Sequence, residues 1–149
     1  HESGKIKNGF HDGTWKGYSN RLNCSYTELY EDGKFVSGVS IDSNNIEYQY
    51  KEMFSKPKPK KGIDDFYRYM GNNMRRTKEA DINKISGKIY LTFVVDKNGS
   101  IDEIKIIKGL GYGLDEEAIT TLKSYRNWIP GKMKGINVRV MYSLPLTLK

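Results

Sequence analysis

A stretch that reads as two strands joined by a tight turn, from Gly87 to Lys108, constrains the fold of this chain most strongly. Its first half alternates polar residues with the apolar residues Ile89, Leu91, Phe93 and Val95. A period of two in β-branched and aromatic residues is typical of a strand with one buried face. Asn98-Gly99 then supplies residues that tolerate the positive φ of a hairpin loop, and residues 101–107 alternate again. The sequence therefore predicts a β-hairpin, which needs a third strand or covering helices to be stable in water.

Amphipathic helices are predicted on both sides of this hairpin. The first has an apolar stripe at helical spacing, made of Phe66, Tyr69, Met70, Asn73 and Met74. The second opens on acidic residues 115–117, which suit a helix N-terminus, and carries the apolar stripe Leu114, Ala118, Leu122 and Tyr125. The polar residues 77–86 are expected to form a loop or a frayed helical turn before the hairpin.

The end of the chain predicts one long strand, from Ile136 to Leu148, in which apolar and polar residues alternate. Pro145 cannot donate a hydrogen bond to a neighbouring strand, so at least that part is expected at the edge of a sheet. A long apolar edge strand promotes aggregation unless it is covered or reserved for a partner. This strand is therefore the first candidate for a binding surface.

Residues 1–54 predict a small all-β module of short strands and turns. Two turn signals, Asn8-Gly9 and Asp32-Gly33, lie 24 residues apart, and each is followed by a further glycine four or five residues later. A period in the twenties indicates a repeat in which each hairpin stacks on the next. The many aromatic residues of this region are expected to pack between the hairpins.

Two segments of this module, GFHDGTWKGY and YEDGKFVSGVSID, resemble bacterial MORN-type repeats, which are built on a Tyr-x-Asn/Asp-Gly-Lys-x-x-x-Gly pattern. The resemblance covers about residues 5–50 and implies meandering β-hairpins that bind or space other molecules without catalysis. Ser55 to Gly62 follows, and its four lysines and two prolines predict a solvated linker. The expected domains are a MORN-like module at 1–54, a Lys/Pro linker at 55–62 and a third segment at 63–149.

Residues 63–149 have the order helix, strand, strand, helix, strand and carry several separate motifs, which are the Phe66–Met74 helix, residues 87–101, Leu114-Asp115-x-x-Ala118, Trp128-Ile129-Pro130-Gly131, Gly135-x-x-Val138 and Leu144-Pro145-Leu146. With this order and these motifs, the segment resembles the C-terminal domain of the TonB family. It implies an α+β fold class, with a three-stranded antiparallel sheet and two helices on one face. In this chain the small all-β hairpin-repeat module precedes that domain.

In the TonB family this domain sits in the periplasm and binds a short extended peptide of an outer-membrane transporter, while inner-membrane motor proteins supply force. The resemblance implies the same role here, with the peptide added as a strand alongside the last strand of the domain. Strand addition requires an edge with free N–H and C=O groups. The residues assigned to this edge are Asn137, Arg139, Met141 and Ser143, and Arg139 is expected to recognise acidic groups of the peptide.

One departure from the family pattern concerns a Tyr-Pro pair that usually lies about ten residues before the glycine equivalent to Gly87 and contacts the transporter. Arg76 and Thr77 stand at that position in this chain. The departure argues against the usual form of transporter contact, and both residues are predicted to lie in the partner-binding surface.

Two functions remain open at this point. The first is a periplasmic protein that binds a transporter peptide by strand addition and serves energy-dependent transport. The second is an envelope scaffold or interaction protein that forms a homodimer through the same sheet edge and transmits no force. An enzyme is not predicted, because Cys24 is the only cysteine, His11 is the only internal histidine, and no metal-ligand cluster or nucleophile–base pair is evident. No cofactor or metal is expected.

The charge and hydropathy of the chain narrow its partners and its location. The net charge of +7 comes from interspersed basic and acidic residues, so it indicates a solvated surface rather than nucleic-acid binding. No run approaches the roughly 18 apolar residues of a membrane helix. The chain starts at His1 without Met, so an inner-membrane anchor or a signal is expected only upstream of it. The expected location is the periplasm, either free or anchored through such a segment.

Overall fold

The computed structural model describes residues 2–149 and divides the chain into two compact units. The first unit comprises residues up to Ser55 together with Lys132–Asn137. The second unit comprises Lys56–Gly131 together with Val138–Lys149. The first unit is therefore discontinuous in sequence, and this division differs from the expected segments at 1–54, 55–62 and 63–149.

The first unit is built on a five-stranded antiparallel meander. Its strands follow chain order and are β1 (Glu2–Lys7), β2 (Phe10–Ser19), β3 (Cys24–Glu31), β4 (Lys34–Asp42) and β5 (Glu47–Tyr50). The two predicted turn signals form two-residue hairpin loops, with φ of 53° at Asn8, 81° at Gly9, 51° at Asp32 and 81° at Gly33. Positive φ at both loop residues is typical of a type I′ turn, whose twist matches that of the flanking strands. Local turn chemistry thus sets these strand boundaries.

Glu28 on β3 is fully buried in the first unit and is surrounded by hydrogen-bond donors. The Nζ atom of Lys134 lies 2.5 Å from Oε2 of Glu28, and the Tyr50 hydroxyl donates to the same oxygen at 2.5 Å. The Tyr30 hydroxyl donates to Oε1 at 3.2 Å. The Lys134 ammonium also lies 3.7 Å from the centroid of the Tyr26 ring. Because a buried charge is costly unless it is paired and hydrogen-bonded, these donors allow Glu28 to lie inside the unit.

The tyrosines around Glu28 are held in their protonated form. Burial is the largest cause that raises the pKa of Tyr30 to about 12, and the charge of Glu28 adds to it. Burial also raises the pKa of Tyr26 to about 12, and the hydrogen bond that Tyr26 donates to Glu2 acts in the same direction. Tyr30 therefore remains a hydrogen-bond donor to Glu28 throughout the neutral pH range.

A short hairpin from the C-terminal part of the chain completes the first unit. The strands concerned form a small sheet in the order β12–β11–β6, which are Ile136–Val138, Gly131–Met133 and Phe54–Ser55. At the hairpin turn the backbone N–H of Lys134 donates to the carbonyl oxygen of Met53 at 2.9 Å. The carbonyl oxygen of Lys134 accepts from Oγ of the buried Ser40 at 2.7 Å. The turn is thus held by its backbone as well as by the Lys134 side chain.

The prediction of a single strand from Ile136 to Leu148 is wrong, because the chain breaks at Arg139 into two strands of different sheets. β12 pairs with β11, whereas β13 (Val140–Leu148) pairs with β8 (Gly87–Val95). The two segments therefore belong to different sheets, although they follow each other along the chain. The alternation of apolar residues continues through the break, and this continuity hides the break in the sequence.

The second unit confirms the predicted α+β class and the predicted hairpin. Its central antiparallel sheet has the order β13–β8–β9, with β9 at Ile101–Lys108. Its helices are α1 (Ile63–Asn73), α2 (Lys78–Ile82) and α3 (Leu114–Ser124). α2 occupies the region that was expected to be a loop or a frayed turn. The core joins alternate residues of β8 to the helix stripes, and its fully buried members include Ile89, Leu91, Phe93, Val95, Phe66, Leu114, Ala118 and Leu122.

Residues 55–62, which were expected to form a solvated linker, belong to the folded structure. β7 (Lys58–Pro59) pairs with β10 (Trp128–Ile129) in the second unit. Pro57 is fully buried, whereas Lys58 is exposed. The restricted φ of proline suits the extended backbone of a strand as well as that of a linker, so the prolines can be buried while lysine side chains stay in solvent.

Replacing Lys134 by Met is expected to lower the free energy of unfolding by about 3–5 kcal/mol, because Glu28 would remain buried without its counter-ion. Urea denaturation followed by intrinsic fluorescence measures this loss. Lys132→Met is the matched control, since Lys132 lies exposed on the same hairpin and its replacement should cost less than about 0.5 kcal/mol. Adding Glu28→Gln to Lys134→Met should recover part of the loss. Equal stability of the two lysine variants would contradict the importance of the buried pair.

Gly99 in the β8–β9 turn is expected to resist substitution for two reasons that can be measured separately. Its φ is +82°, and an added Cβ would lie 2.6 Å from the carbonyl oxygen of Trp128. Gly111 has a similar φ of +74°, but a Cβ there would meet no atom within 4 Å. Gly111→Ala is therefore expected to cost about 1–2 kcal/mol of stability through backbone strain alone. Gly99→Ala should cost about 1–3 kcal/mol more through the steric clash, and equal losses in thermal unfolding would exclude that clash.

Candidate functional site

β13 is an edge strand of the sheet in the second unit. In the sheet order β13–β8–β9, β8 pairs with one side of β13, and no strand among the described residues pairs with its other side. Its pairing with β8 is uninterrupted, from Val140 opposite Val95 to Leu148 opposite Gly87. A regular edge strand presents a row of unpaired backbone N–H and C=O groups to solvent. This edge is the candidate binding surface.

The orientation of Pro145 shows which residues of β13 direct their backbone groups outward. Pro145 has no amide hydrogen, and its carbonyl oxygen accepts from the Tyr67 hydroxyl of α1 at 3.2 Å. Its backbone polar groups therefore point away from β8. In an antiparallel ladder this orientation recurs at every second residue, so Met141, Ser143 and Thr147 also direct their N–H and C=O groups to the open edge. Tyr67 is partly withdrawn from water, and burial raises the pKa of its phenol.

The opposite edge of the same sheet, formed by β9, is much less regular. The pairing of β9 with β8 shifts register twice, between Tyr90 and Leu91 and again between Thr92 and Val94. Glu103, within the second irregular region, has a positive φ of 49°. Such bulges twist an edge and prevent further strands from pairing with it. The sheet thus has one protected edge and one open edge.

A groove lies beside the C-terminal half of β13. It has a volume of about 700 Å³ and is lined by Tyr67, Met70 and Gly71 of α1, by Met74 directly after that helix, by Arg76, and by residues 145–149. Most of these side chains are apolar, and of the described lining residues Arg76 and Lys149 are charged. The open edge and an apolar groove are therefore adjacent along the same strand.

Arg139 does not point to the open edge but lies among three carboxylates. Its guanidinium is 2.9 Å from Oδ2 of Asp96, 3.4 Å from Oδ2 of Asp102 and 2.7 Å from Oε2 of Glu103. The hydrogen bond to Glu103 is the largest cause that raises the pKa of Arg139. One positive charge faces three negative charges here. These three carboxylates disfavour the recognition of an acidic peptide that was expected of Arg139.

The remaining predicted residues lie in different places. Met141 and Ser143 lie on the open edge of β13, as described above. Asn137 lies in β12 and belongs to the first unit, whereas β13 belongs to the second.

Arg76 and Thr77 act as structural residues at the start of α2. The Arg76 guanidinium forms an ion pair with Asp81 at 2.7 Å and donates to the carbonyl oxygens of Ile85 at 2.7 Å and Lys149 at 3.0 Å. The Thr77 hydroxyl accepts from the backbone N–H of Ala80 at 3.1 Å and thereby caps the helix. The fold thus uses the guanidinium of Arg76 and the hydroxyl of Thr77, and Arg76 also lines the groove beside β13.

Sequence reasoning missed Tyr67 and Gly71 as residues of the site. Together with Met70 and Met74 they recur at spacings of three and four, which places them on one face of α1. This spacing was visible in the sequence, but the neighbouring stripe headed by Phe66 carries more of the core and concealed it. The position of Tyr67 over Pro145 depends on a contact between residues far apart in the chain and has no local signal.

A metal-ligand cluster and a membrane-spanning helix are both absent from the described part of the chain. Within residues 2–149, no cluster of His, Cys, Asp and Glu side chains could hold a metal ion. No helix in that range has the length and apolar character needed to cross a bilayer.

Comparison with known proteins concerns the second half of the chain. Residues 77–148 match the family described as Gram-negative bacterial TonB protein C-terminal, which confirms the predicted resemblance for this region. A solution NMR structure of Helicobacter pylori TonB-CTD is 22% identical, with a TM-score of 0.48, and the match covers 58% of this chain and 91% of that chain. No curated protein sequence matches the chain. The MORN-type resemblance of the first unit stays a prediction.

Arg76→Lys is expected to lower the free energy of unfolding by about 1–3 kcal/mol, because an ammonium group cannot reproduce the fork of hydrogen bonds to four separate groups, which are Asp81 and the carbonyl oxygens of Ala80, Ile85 and Lys149. Thermal unfolding of the whole chain measures the effect. Arg75→Lys is the matched control, since the Arg75 side chain is exposed next to it, and it should leave stability within about 0.5 kcal/mol. If Arg76→Lys unfolds like the control, the assignment of Arg76 to a structural role fails.

Proposed function

From the match of residues 77–148 to the TonB C-terminal family, we propose that this chain is a TonB-like protein of the Gram-negative cell envelope. It acts in the periplasm, where its second unit captures an extended peptide of an outer-membrane transporter. The peptide pairs with the open edge of β13 and extends the sheet. The process that it serves is energy-dependent transport, and no catalysis is involved.

The observation that carries this proposal is the difference between the two edges of the sheet. The β9 edge is interrupted by two register shifts, whereas β13 is regular over its whole paired length. Main-chain hydrogen bonds to such an edge supply affinity with little demand on the sequence of the peptide. Met141, Ser143 and Thr147 offer both donors and acceptors for these bonds. The carbonyl of Pro145 is already bonded to Tyr67, which limits the paired length.

The first unit is proposed to be a binding or spacing module of the MORN type. Its meander repeats a two-residue hairpin loop at Asn8-Gly9 and at Asp32-Gly33. Exposed apolar residues on this sheet, among them Leu29 and Ile41, provide surface for a further partner. This role is independent of peptide capture by β13.

A second candidate function, a homodimeric envelope scaffold, is favoured by the charges at the two ends of β13. Near the first residue of β13, Arg139 is surrounded by Asp96, Asp102 and Glu103. Lys149 follows its last residue, and Lys88 lies opposite Thr147 in the sheet. Antiparallel pairing of β13 with β13 of a second copy would bring the acidic end of each strand opposite the basic end of the other. Such pairing would occupy the edge that the transporter peptide requires.

Ser143→Pro is expected to weaken peptide capture about tenfold, because it removes one outward N–H donor without removing a bond to β8. Ser143→Ala is the matched control, since it keeps the backbone donor and should bind as the unchanged chain does. Peptides from N-terminal segments of outer-membrane transporters are titrated into ¹⁵N-labelled protein. The amides of residues 141–147 are expected to shift in the unchanged chain.

Two results would contradict the proposal. Chemical shift changes confined to the amides of β9 would show that the peptide binds the opposite edge of the sheet. Equal peptide affinities of the Ser143→Pro and Ser143→Ala variants would exclude pairing of the peptide with residue 143. Sedimentation of the unchanged chain over a wide concentration range tests the second candidate. A monomer at every concentration removes the homodimer, whereas a dimer that Ser143→Pro dissociates supports it.

A further inference from the structure

We propose that the second unit also binds the surface of a lipid bilayer that contains anionic phospholipids. The binding surface is the face of its sheet that points away from the helices, which we call the uncovered face. Its central members are Lys88, Tyr90 and Thr92 of β8 and Lys105 and Lys108 of β9. This role is additional to peptide capture, because it uses side chains of a sheet face rather than the backbone groups of an edge.

The pattern of β8 places these residues on the side of the sheet away from the helices. Ile89 and Leu91 are buried in the core that the sheet shares with the helices. Because successive side chains of a strand point to opposite faces, Lys88 and Tyr90 lie on the other face. Both are exposed there, and Tyr90 keeps 41% of its surface accessible to water. The uncovered face thus has a charged and an aromatic component.

Three lysines gather at one end of the uncovered face. Lys108 lies opposite Tyr90 in the sheet, and Lys105 lies opposite Thr92. Both lysines therefore share the face of Lys88, and Lys88 and Lys108 are diagonal neighbours about 7–8 Å apart. All three are exposed, and none of them forms an ion pair with a residue that the structure describes. Since like charges at this spacing repel each other, an anionic surface would stabilise the arrangement.

A carboxylate on the same face lies at the far end of the sheet. Asp102 pairs with Val94 and contacts Arg139. Val94 and Lys88 belong to the same strand, and their separation along it is about 20 Å. At about 0.1 M salt, exposed charges are screened over about 10 Å, so the acidic end does not cancel the attraction of the lysines. We expect the lysine end to lie on the bilayer and the Arg139 end to lie farther from it.

Exposed apolar groups beside the lysines favour a bilayer over a soluble anion. The Tyr90 ring lies among the lysines, and Ile107, the neighbour of Lys108, is 65% exposed. Tyrosine suits a membrane–water interface, because its ring is apolar and its hydroxyl is polar. A bilayer can accept ammonium groups at its headgroups and apolar side chains just below them. A soluble anion would leave those apolar side chains in water.

The test is sedimentation of the full chain with lipid vesicles at about 0.1 M salt. One set of vesicles contains equal parts of phosphatidylglycerol and phosphatidylcholine, and the other contains phosphatidylcholine alone. Binding to the neutral vesicles is expected to be weaker by about tenfold or more, because the three lysines then lack anionic partners. Raising the salt to about 1 M should release the chain from the anionic vesicles, since screening then acts over about 3 Å.

A triple variant replaces the lysines of the uncovered face by glutamine and should weaken binding to anionic vesicles about a hundredfold, or about fivefold for each lysine. Its substitutions are Lys88→Gln, Lys105→Gln and Lys108→Gln. The matched control removes the same net charge from three exposed lysines on or next to the helices. Its substitutions are Lys78→Gln, Lys84→Gln and Lys123→Gln. The control should bind within about threefold of the unchanged chain, because its charges lie more than a screening length from the bilayer.

A fluorescence probe tests whether the uncovered face enters the bilayer interface. The emission of Tyr90→Trp is expected to shift to shorter wavelength with anionic vesicles, because the indole ring leaves water. Tyr112→Trp is the matched control, since Tyr112 is exposed in the loop that Thr77 contacts at the start of α2. Its emission should not change. Trp15 and Trp128 are buried and contribute a constant background.

Two exposed isoleucines test the apolar contribution to affinity. Ile107→Ser should weaken binding to anionic vesicles about threefold or more, because less apolar surface leaves water. Ile82→Ser is the matched control, since Ile82 is 78% exposed on α2, and it should bind as the unchanged chain does. Thermal unfolding of each variant confirms that the fold is kept.

Several results would overturn the inference. Equal losses in the two triple variants would assign binding to overall charge rather than to the uncovered face. Equal binding to both kinds of vesicle, or binding to neither, would exclude an anionic bilayer as the partner. Poly-glutamate that displaces the vesicles at equal charge concentration, together with unchanged emission of Tyr90→Trp, would indicate an acidic protein instead.

Discussion

The register between β8 and β13 is the constraint on which the second unit depends. Because successive side chains alternate between faces, a slip by one residue would turn Leu144 and Leu146 to solvent and Pro145 into the core. The same slip would turn the backbone of Pro145 toward β8, and one hydrogen bond of the ladder would be lost because Pro145 has no N–H. Burial and hydrogen bonding therefore select the same alignment. The open edge, the contact with Tyr67 and the groove beside α1 all follow from that alignment.

Elements that depend on local patterns could be predicted from the sequence. The hairpin of β8 and β9, the stripes of α1 and α3, and the loops at Asn8-Gly9 and Asp32-Gly33 each carry their own signal within about ten residues. The assignment of Met141 and Ser143 to the edge also belongs here, because a period of two fixes which residues share an orientation. Such a prediction is as reliable as the local pattern on which it rests. It does not identify the strand that pairs with the predicted one.

Features that depend on distant partners could not be predicted in the same way. The break at Arg139 is caused by pairing of β12 with β11, while alternation continues through it. Glu28 and Lys134 are 106 residues apart and look like ordinary surface charges when either is read alone. Arg139 was expected to recognise acidic groups of a peptide, whereas in the fold Asp96, Asp102 and Glu103 surround its guanidinium. Electrostatic pairs of this kind leave no periodic trace, so only the three-dimensional arrangement identifies them.

The return of residues 132–137 to the first unit has a consequence for the synthesis of the protein. Domains that are continuous in sequence can fold on the ribosome in N-terminal to C-terminal order. Here the meander is made before the second unit, but the ammonium group that compensates Glu28 is added only after residues 56–131 have been made. During that interval the nascent first unit must either keep Glu28 in water or leave its centre unpacked. Final packing of the first unit therefore waits until residues 132–137 have been translated.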